Sequence, residues 1–400
     1  MGGAILALIL SAAGAQDADW PCFRGPNRDG ISAETGLDFD WPAEGPKALW
    51  KRNVGTGYSS IAVARGRAFA LGNREARDTL CCLDAATGAE VWTHTCDCPL
   101  LPRNYAGGPG ATPLADGDLV FIVSKKGLVS CLDAASGRAV WDRDIAKDPG
   151  AKTPDWGFEG SPVVLGDRLY LNAGAAGLCL DKATGKTVWA SDPAGQAGYS
   201  TPVFRRAGGR TVMAVMGEKA VRGVDAADGK VLWEHDWPTS FGENITDPFW
   251  IGERLFVSTS HGMGAVLLDV SGAGPKPVWT SPRHGTHTNT SVLWKDHLYG
   301  FDGLMQNPRG RGLNCVDPKT GEILWRKDDH FGTLLVADGK LVMLLVDGQL
   351  VAAEASPAGY REAARARVLQ GRCWTMPTLA KGRLYVRNDA GDLACLEMRK

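Results

Sequence analysis

The chain has 400 residues, 44% of them apolar and 22% charged, the balance of a soluble globular protein with an ample core. A formal net charge of −1, with no long block of like charge, excludes capture of nucleic acid by a concentrated basic face. Length alone leaves open two or three ordinary domains or one large all-β domain.

The first fifteen residues carry an apolar run from Ala4 to Leu10 and an Ala13-Gly14-Ala15 sequence that fits a cleavage site, although a basic leader segment is missing. The run falls short of the roughly 20 residues of a membrane span. Residues 1–15 are therefore expected to be a signal peptide, and the mature chain to be periplasmic or secreted, with no transmembrane segment. Residues 16–45 fit no repeat. With Trp20, Phe23 and Trp41 among Pro and Gly, they read as an extended arm packed on the body of the protein.

Beyond the arm, "PKALW" (Pro46 to Trp50) has the form of an outer strand with no hairpin before it. "CLDAATGAEVW" (Cys82 to Trp92) and "CLDAASGRAVW" (Cys131 to Trp141) then open a repeat. Its pattern is Asp-x-x-x-Gly-x-x-x-Trp, usually with Ser or Thr before the Gly. It returns at Asp181 to Trp189, Asp225 to Trp233 and Asp317 to Trp325, with a looser copy ending at Trp279. The tryptophans recur every 42 to 49 residues, the length of one four-stranded propeller blade. In the same phase come hairpins with turns near Gly66, Gly117, Gly166, Gly209, Gly252, Asp296, Gly339 and Gly382, which count eight units. The seventh unit lacks its Trp, and the eighth stops after its third strand. Residues 46–400 are thus predicted to be an all-β, eight-bladed propeller whose last blade is completed by the N-terminal strand, which removes open edges. Seven blades is the alternative, and a single closed ring is expected to be monomeric.

Of the ten cysteines, Cys82, Cys131, Cys179, Cys315 and Cys395 share one repeat position, held elsewhere by Gly223, Leu267 and Ala352. That position wants a small apolar residue, which free Cys supplies. Cys22 and Cys373 could pair if the arm crosses the closing blade. His94, Cys96 and Cys98 alternate along one predicted strand and offer imidazole and thiolate to a soft metal; chance alternation is the plainer reading. His284 and His287 read as part of a polar loop.

The turn-and-tryptophan copies resemble the tryptophan-docking motif of pyrrolo-quinoline-quinone (PQQ) type propellers, and they cover most of residues 46–400. The opening "WPCFRGPNRDG" looks like exported PQQ-like propeller proteins of planctomycete-type bacteria, and BamB is similar in its repeats. The resemblance is to a fold, which does not fix a function. It implies either a scaffold without catalysis or a PQQ- and Ca²⁺-dependent dehydrogenase of a small alcohol or sugar. The scaffold would bind a protein or envelope polymer at the channel mouth, through Tyr58, Phe158, Glu159, Tyr199, Asn244, Asp247, His287, Asn289 and Trp374. In the dehydrogenase, a Glu, an Asn and an Asp hold the Ca²⁺, and Glu159, Asn244 and Asp247 occupy suitable positions, with Asp247 as the base. A vicinal disulfide also covers the cofactor in those enzymes. Cys81 and Cys82 form the one vicinal pair here, but they fall inside a predicted strand, where neighbouring side chains point to opposite faces.

Overall fold

The computed structural model describes residues 18–304, 307 and 310–400; the expected signal peptide, residues 1–15, lies outside them. Eight antiparallel sheets follow one another along the chain. The first is built from Ala62–Ala64, Arg67–Arg74, Arg77–Asp84 and Glu90–Asp97, innermost strand first. Every predicted hairpin turn joins the inner two strands of a blade, and the closure is as expected. Ala48–Asn53 pairs with Asp392–Glu397 and completes the eighth blade, Trp50 lying opposite Cys395. Among the described residues the one helical element is a short 3₁₀ turn, Ser240–Gly242. Among these residues no helix is long and apolar enough to cross a membrane.

The repeat has a packing reason. In each blade the pairing of the third and fourth strands shifts by a residue beside the shared Cys position, as in Cys82 opposite Trp92 and Cys179 opposite Trp189. Such a bulge re-aims the side chains next to it, and the position opposite the Trp is Cys or Gly except at Leu267, which faces Trp279. At Gly223 the ring of Trp233 lies where a Cβ would be. The rings of Trp50, Trp92, Trp141, Trp189 and Trp279 then cover the turn glycine of the next blade. A Cβ on Gly88 would sit 2.6 Å from the Trp50 ring, and one on Gly229 2.6 Å from Trp189. These glycines also hold the left-handed backbone (φ 67° and 77°) that closes the Asp turn. The indole nitrogen of Trp50 donates to Ala85 O (3.2 Å), that of Trp92 to Ala134 O (3.1 Å) and that of Trp141 to Lys182 O (3.0 Å). Where Trp50, Trp92, Trp141, Trp189 and Trp279 stand, the motif thus ties a blade to its successor by stacking and one hydrogen bond.

All ten cysteines are buried free thiols. Cys81 and Cys82 face two different core clusters, as alternation along a strand requires. The pairing of Cys22 with Cys373 does not occur. Cys22 donates to Gly25 O (3.1 Å) in one cluster, while Cys373 packs in another.

The arm does more than pack on the body: it enters the central channel. Trp20, fully buried, exchanges two 2.8 Å backbone hydrogen bonds with Val63 on the inner strand of blade one. Pro21 O accepts from Ala115 in blade two, and Ile31–Ser32 adds a parallel fifth strand to blade seven. Arg24, buried, donates to Thr290 O (3.2 Å) and Ser291 O (3.0 Å) before blade six. Inner strands on opposite sides of the ring are therefore bonded to one short segment, which closes one end of the channel.

Candidate functional site

Above the arm the channel holds a cavity of about 190 Å³, with Phe23 of the arm among its lining and Ile245, Leu334 and Met376 as apolar wall. The result is a cup. Its wall is ordered by a circumferential chain of hydrogen bonds at the start of successive inner strands. Ser60 N donates to Thr112 Oγ1 (3.0 Å), Thr112 N to Ser161 Oγ (3.0 Å) and Ser161 N to Thr201 Oγ1 (3.2 Å). Thr201 N then donates to Asp247 Oδ1 (2.7 Å), and Asp247 N to Thr290 Oγ1 (3.1 Å). Each acceptor in this run is a hydroxyl except at Asp247, where a carboxylate stands in. Burial pushes that carboxyl up to about 6, against the lowering pull of the Arg24 guanidinium and the bonds from Thr201.

The rim is aromatic. Tyr58 lies 5.0 Å from Tyr105 and 5.2 Å from Trp374, ring centre to centre, and Trp156 meets Tyr199 edge-on at 6.0 Å. Arg372 stacks over Trp374 at 4.6 Å and Arg103 over Trp156 at 5.1 Å. These are geometries of cation–π attraction. Trp374 Nε1, Thr288 Oγ1 and Asn289 Nδ2, all on residues of the lining, are buried without a hydrogen-bond partner among the described residues. Unpaired buried donors are costly, of the order of 1–3 kcal/mol each, and a bound group that accepts from them recovers that cost.

Of the residues expected at the mouth, Tyr58, Glu159, Tyr199, Asp247, His287, Asn289 and Trp374 line the cup. Phe158 does not; it is buried in a core cluster against Gly127. Asn244 does not either. Its Nδ2 donates to Gly217 O (2.9 Å), Glu218 O (3.1 Å) and Trp237 O (3.1 Å), and its Oδ1 accepts from Thr259 Oγ1 (3.4 Å). A fully buried amide among backbone carbonyls is a loop clamp. Glu159 is engaged by the Lys125 ammonium and, at 3.3 Å, by the Tyr105 hydroxyl. Burial draws the Lys125 ammonium down to about 7, with Asp78 pulling the other way.

These placements test the fit of a PQQ–Ca²⁺ centre. Calcium needs several free oxygen donors converging on one point. Here Glu159 is committed to a lysine, the Asn244 oxygen faces a threonine outside the cup, and Asp247 accepts from Thr201 in the wall within the field of Arg24. With no vicinal disulfide, the residues present do not fit that group.

His94, Cys96 and Cys98 do not gather either. His94 is half-buried opposite Leu80, and Cys96 lies opposite Asp78 on the outer strand of blade one. Among the described residues only Glu243, His261 and His287 bring three such ligand atoms within 4.8 Å of one another. Burial raises the Glu243 carboxyl, but hydrogen bonds and charge from His261 and His287 outweigh it and hold it at about 2. Sequence reading missed Glu243, His261, Tyr105, Lys125 and Arg24 as parts of the site. The one legible trace was Asp247, an acid before proline where other units write Thr112-Pro, Ser161-Pro and Thr201-Pro.

Comparison with known proteins follows the same lines. A family model described as outer membrane protein assembly factor BamB matches residues 42–103 and 76–326, more than half of the chain. BamB from Moraxella catarrhalis superposes with a TM-score of 0.65 at 14% identity, covering 88% of this chain and 100% of that one. The quinohemoprotein alcohol dehydrogenase from Comamonas testosteroni superposes with a TM-score of 0.70 at 14% identity, covering 96% and 81%. A europium-containing methanol dehydrogenase gives 0.67 at 10% identity, covering 92% and 89%. These likenesses are of fold. No curated protein sequence matches the chain.

Proposed function

The chain belongs to the family of the outer membrane protein assembly factor BamB, and from that premise we propose that it is an exported, monomeric propeller scaffold without catalysis. It binds a protein partner of the cell envelope at the mouth of the cup. The observation that carries this reading is the pairing of an open aromatic rim with interior carboxylates that are already engaged. Tyr58, Tyr105 and Trp374 offer large rigid apolar faces, the residue types that anchor protein interfaces. Glu159 and Asp247 are spent on Lys125 and on the wall of the ring, which leaves no oxygen cage for a calcium-bound quinone. The assembly role in the BamB name supports a protein rather than a small alcohol as the occupant.

The test places a photoreactive residue at Tyr105 and, as control, at Val140, which is 52% exposed on an outer strand. Crosslinks to one envelope protein from Tyr105 and none from Val140, lost on Trp374→Ala, are expected. A parallel titration of the purified protein with PQQ and Ca²⁺ should leave its melting temperature unchanged, because only a ligand of the folded state raises it. Saturable, Ca²⁺-dependent binding of PQQ would overturn the reading in favour of the dehydrogenase.

A further inference from the structure

Three connections from separate parts of the chain meet beside blade five. Glu243 lies in the link between blades four and five, His261 in the turn between the second and third strands of blade five, and His287 in the link to blade six. We propose that Glu243, His261 and His287 form a zinc-binding site in the wall of the cup, with one coordination position open to the interior.

Two imidazoles and a carboxylate are a ligand set of zinc centres that keep a fourth position for water or an incoming group. The spacing suits the ion. Glu243 Oε2 lies 2.7 Å from His261 Nε2 and 3.3 Å from His287 Nε2. A tetrahedral centre with bonds of about 2.0–2.1 Å sets neighbouring ligand atoms roughly 3.3–3.4 Å apart. The His287 separation already matches, and His261 has to withdraw by only about 0.6 Å. The imidazole rings meet nearly perpendicular, 5.3 Å between centres.

The site is also built rather than incidental. The side chains of Glu243 and His261 are each 13% exposed and that of His287 3%. His261 sits in a left-handed turn (φ 60°), a conformation that His, Asn and Asp enter more readily than other non-glycine residues. The Asn244 clamp fixes the loop that carries Glu243. Next to His287, the Thr286 hydroxyl bonds Thr246 Oγ1 (3.2 Å) and Ser258 Oγ (3.1 Å). Glu243 and His287 both line the cavity, so the free position of the ion would meet whatever enters the cup. The proposal does not depend on the protein-partner reading, because it concerns zinc and this chain alone.

The experiment strips the full mature chain with a chelator, titrates it with Zn²⁺ against a chromophoric indicator, and records X-ray absorption at the zinc edge. One zinc per chain is expected, with a first shell of nitrogen and oxygen only. His261→Asn should weaken binding by more than about 100-fold, beyond the 10- to 100-fold typical of outer-shell changes. Asn tolerates the left-handed backbone, so this variant keeps the turn; His287→Ala should weaken binding comparably. Absence of stoichiometric zinc would overturn the proposal. So would unchanged affinity in His261→Asn, or sulfur scattering at about 2.3 Å, which would move the metal to Cys96 and Cys98. The absorption spectrum of the unaltered protein decides the ligands even if a variant fails to fold.

Discussion

Replacing Asp247 with threonine should remove a pH-dependent weakness at the centre of the ring. Burial holds the Asp247 carboxyl near 6, against an ordinary value of 3.8. A difference of about two units corresponds to about 3 kcal/mol at 1.36 kcal/mol per unit. Because the folded value is the higher one, the folded chain keeps the proton between pH 4 and 6 while the unfolded chain has lost it. Stability from this group is therefore fully present below pH 4, falls as pH rises through 6, and stays low above. Threonine restores the hydroxyl found at Thr112, Ser161 and Thr201, which accept the same backbone bond. The attraction of Arg24 acts only on the ionised carboxyl and is already contained in the value near 6, and its guanidinium stays protonated across this window, so the variant has no titrating group at this position. Urea unfolding of both proteins at pH 4 and pH 7.5 isolates the effect. The stability of Asp247→Thr relative to the unaltered protein should rise by about 2.5 kcal/mol between those values, the rest of the difference falling below pH 4. A gap that is constant with pH, or that moves the other way, refutes the reasoning.

Other consequences follow from the ring itself. Trp50→Ala removes a buried ring that joins the two ends of the chain, and should cost about 3–5 kcal/mol in urea unfolding; a loss within about 0.5 kcal/mol, the range of ordinary surface changes, would deny the closing blade its role. Burial raises Cys22, Cys81, Cys131 and Cys373 alike, so a thiol reagent should find almost none of the ten cysteines in the native protein and all ten after unfolding without reductant. Fewer than ten would reveal a disulfide. Among the described residues Trp233 makes no indole bond to the next blade, and the seam there holds a cleft of about 700 Å³ lined by Trp233, Val270 and Ser271. Amide exchange of Val231–Asp236 should accordingly outpace that of Ala139–Asp144, whose Trp141 is docked; the reverse order would mean that docking does not set local stability.

The blades were legible because their information is local. An Asp turn closed by a left-handed Gly, a small residue opposite a Trp and a two-residue hairpin all lie within one repeat, and each recurs at the same spacing. The same period placed "PKALW" as the missing outer strand, since only one blade lacked one. Strand alternation likewise separated Cys81 from Cys82. Side-chain direction at the channel mouth was not local. Phe158 and Asn244 occupy mouth positions in the repeat, yet one turns into the core between blades and the other clamps three carbonyls. The route of the arm had no periodic trace, because Trp20, Arg24 and Ile31 find their partners on blades one, six and seven, which lie far apart in sequence. Glu243, His261 and His287 are scattered through 45 residues of sequence without a metal spacing. The ring brings them together because successive links of a propeller return to the same rim. What the repeat determines is each blade and its neighbour, and what only the closed ring decides is which side chains from different blades share its centre.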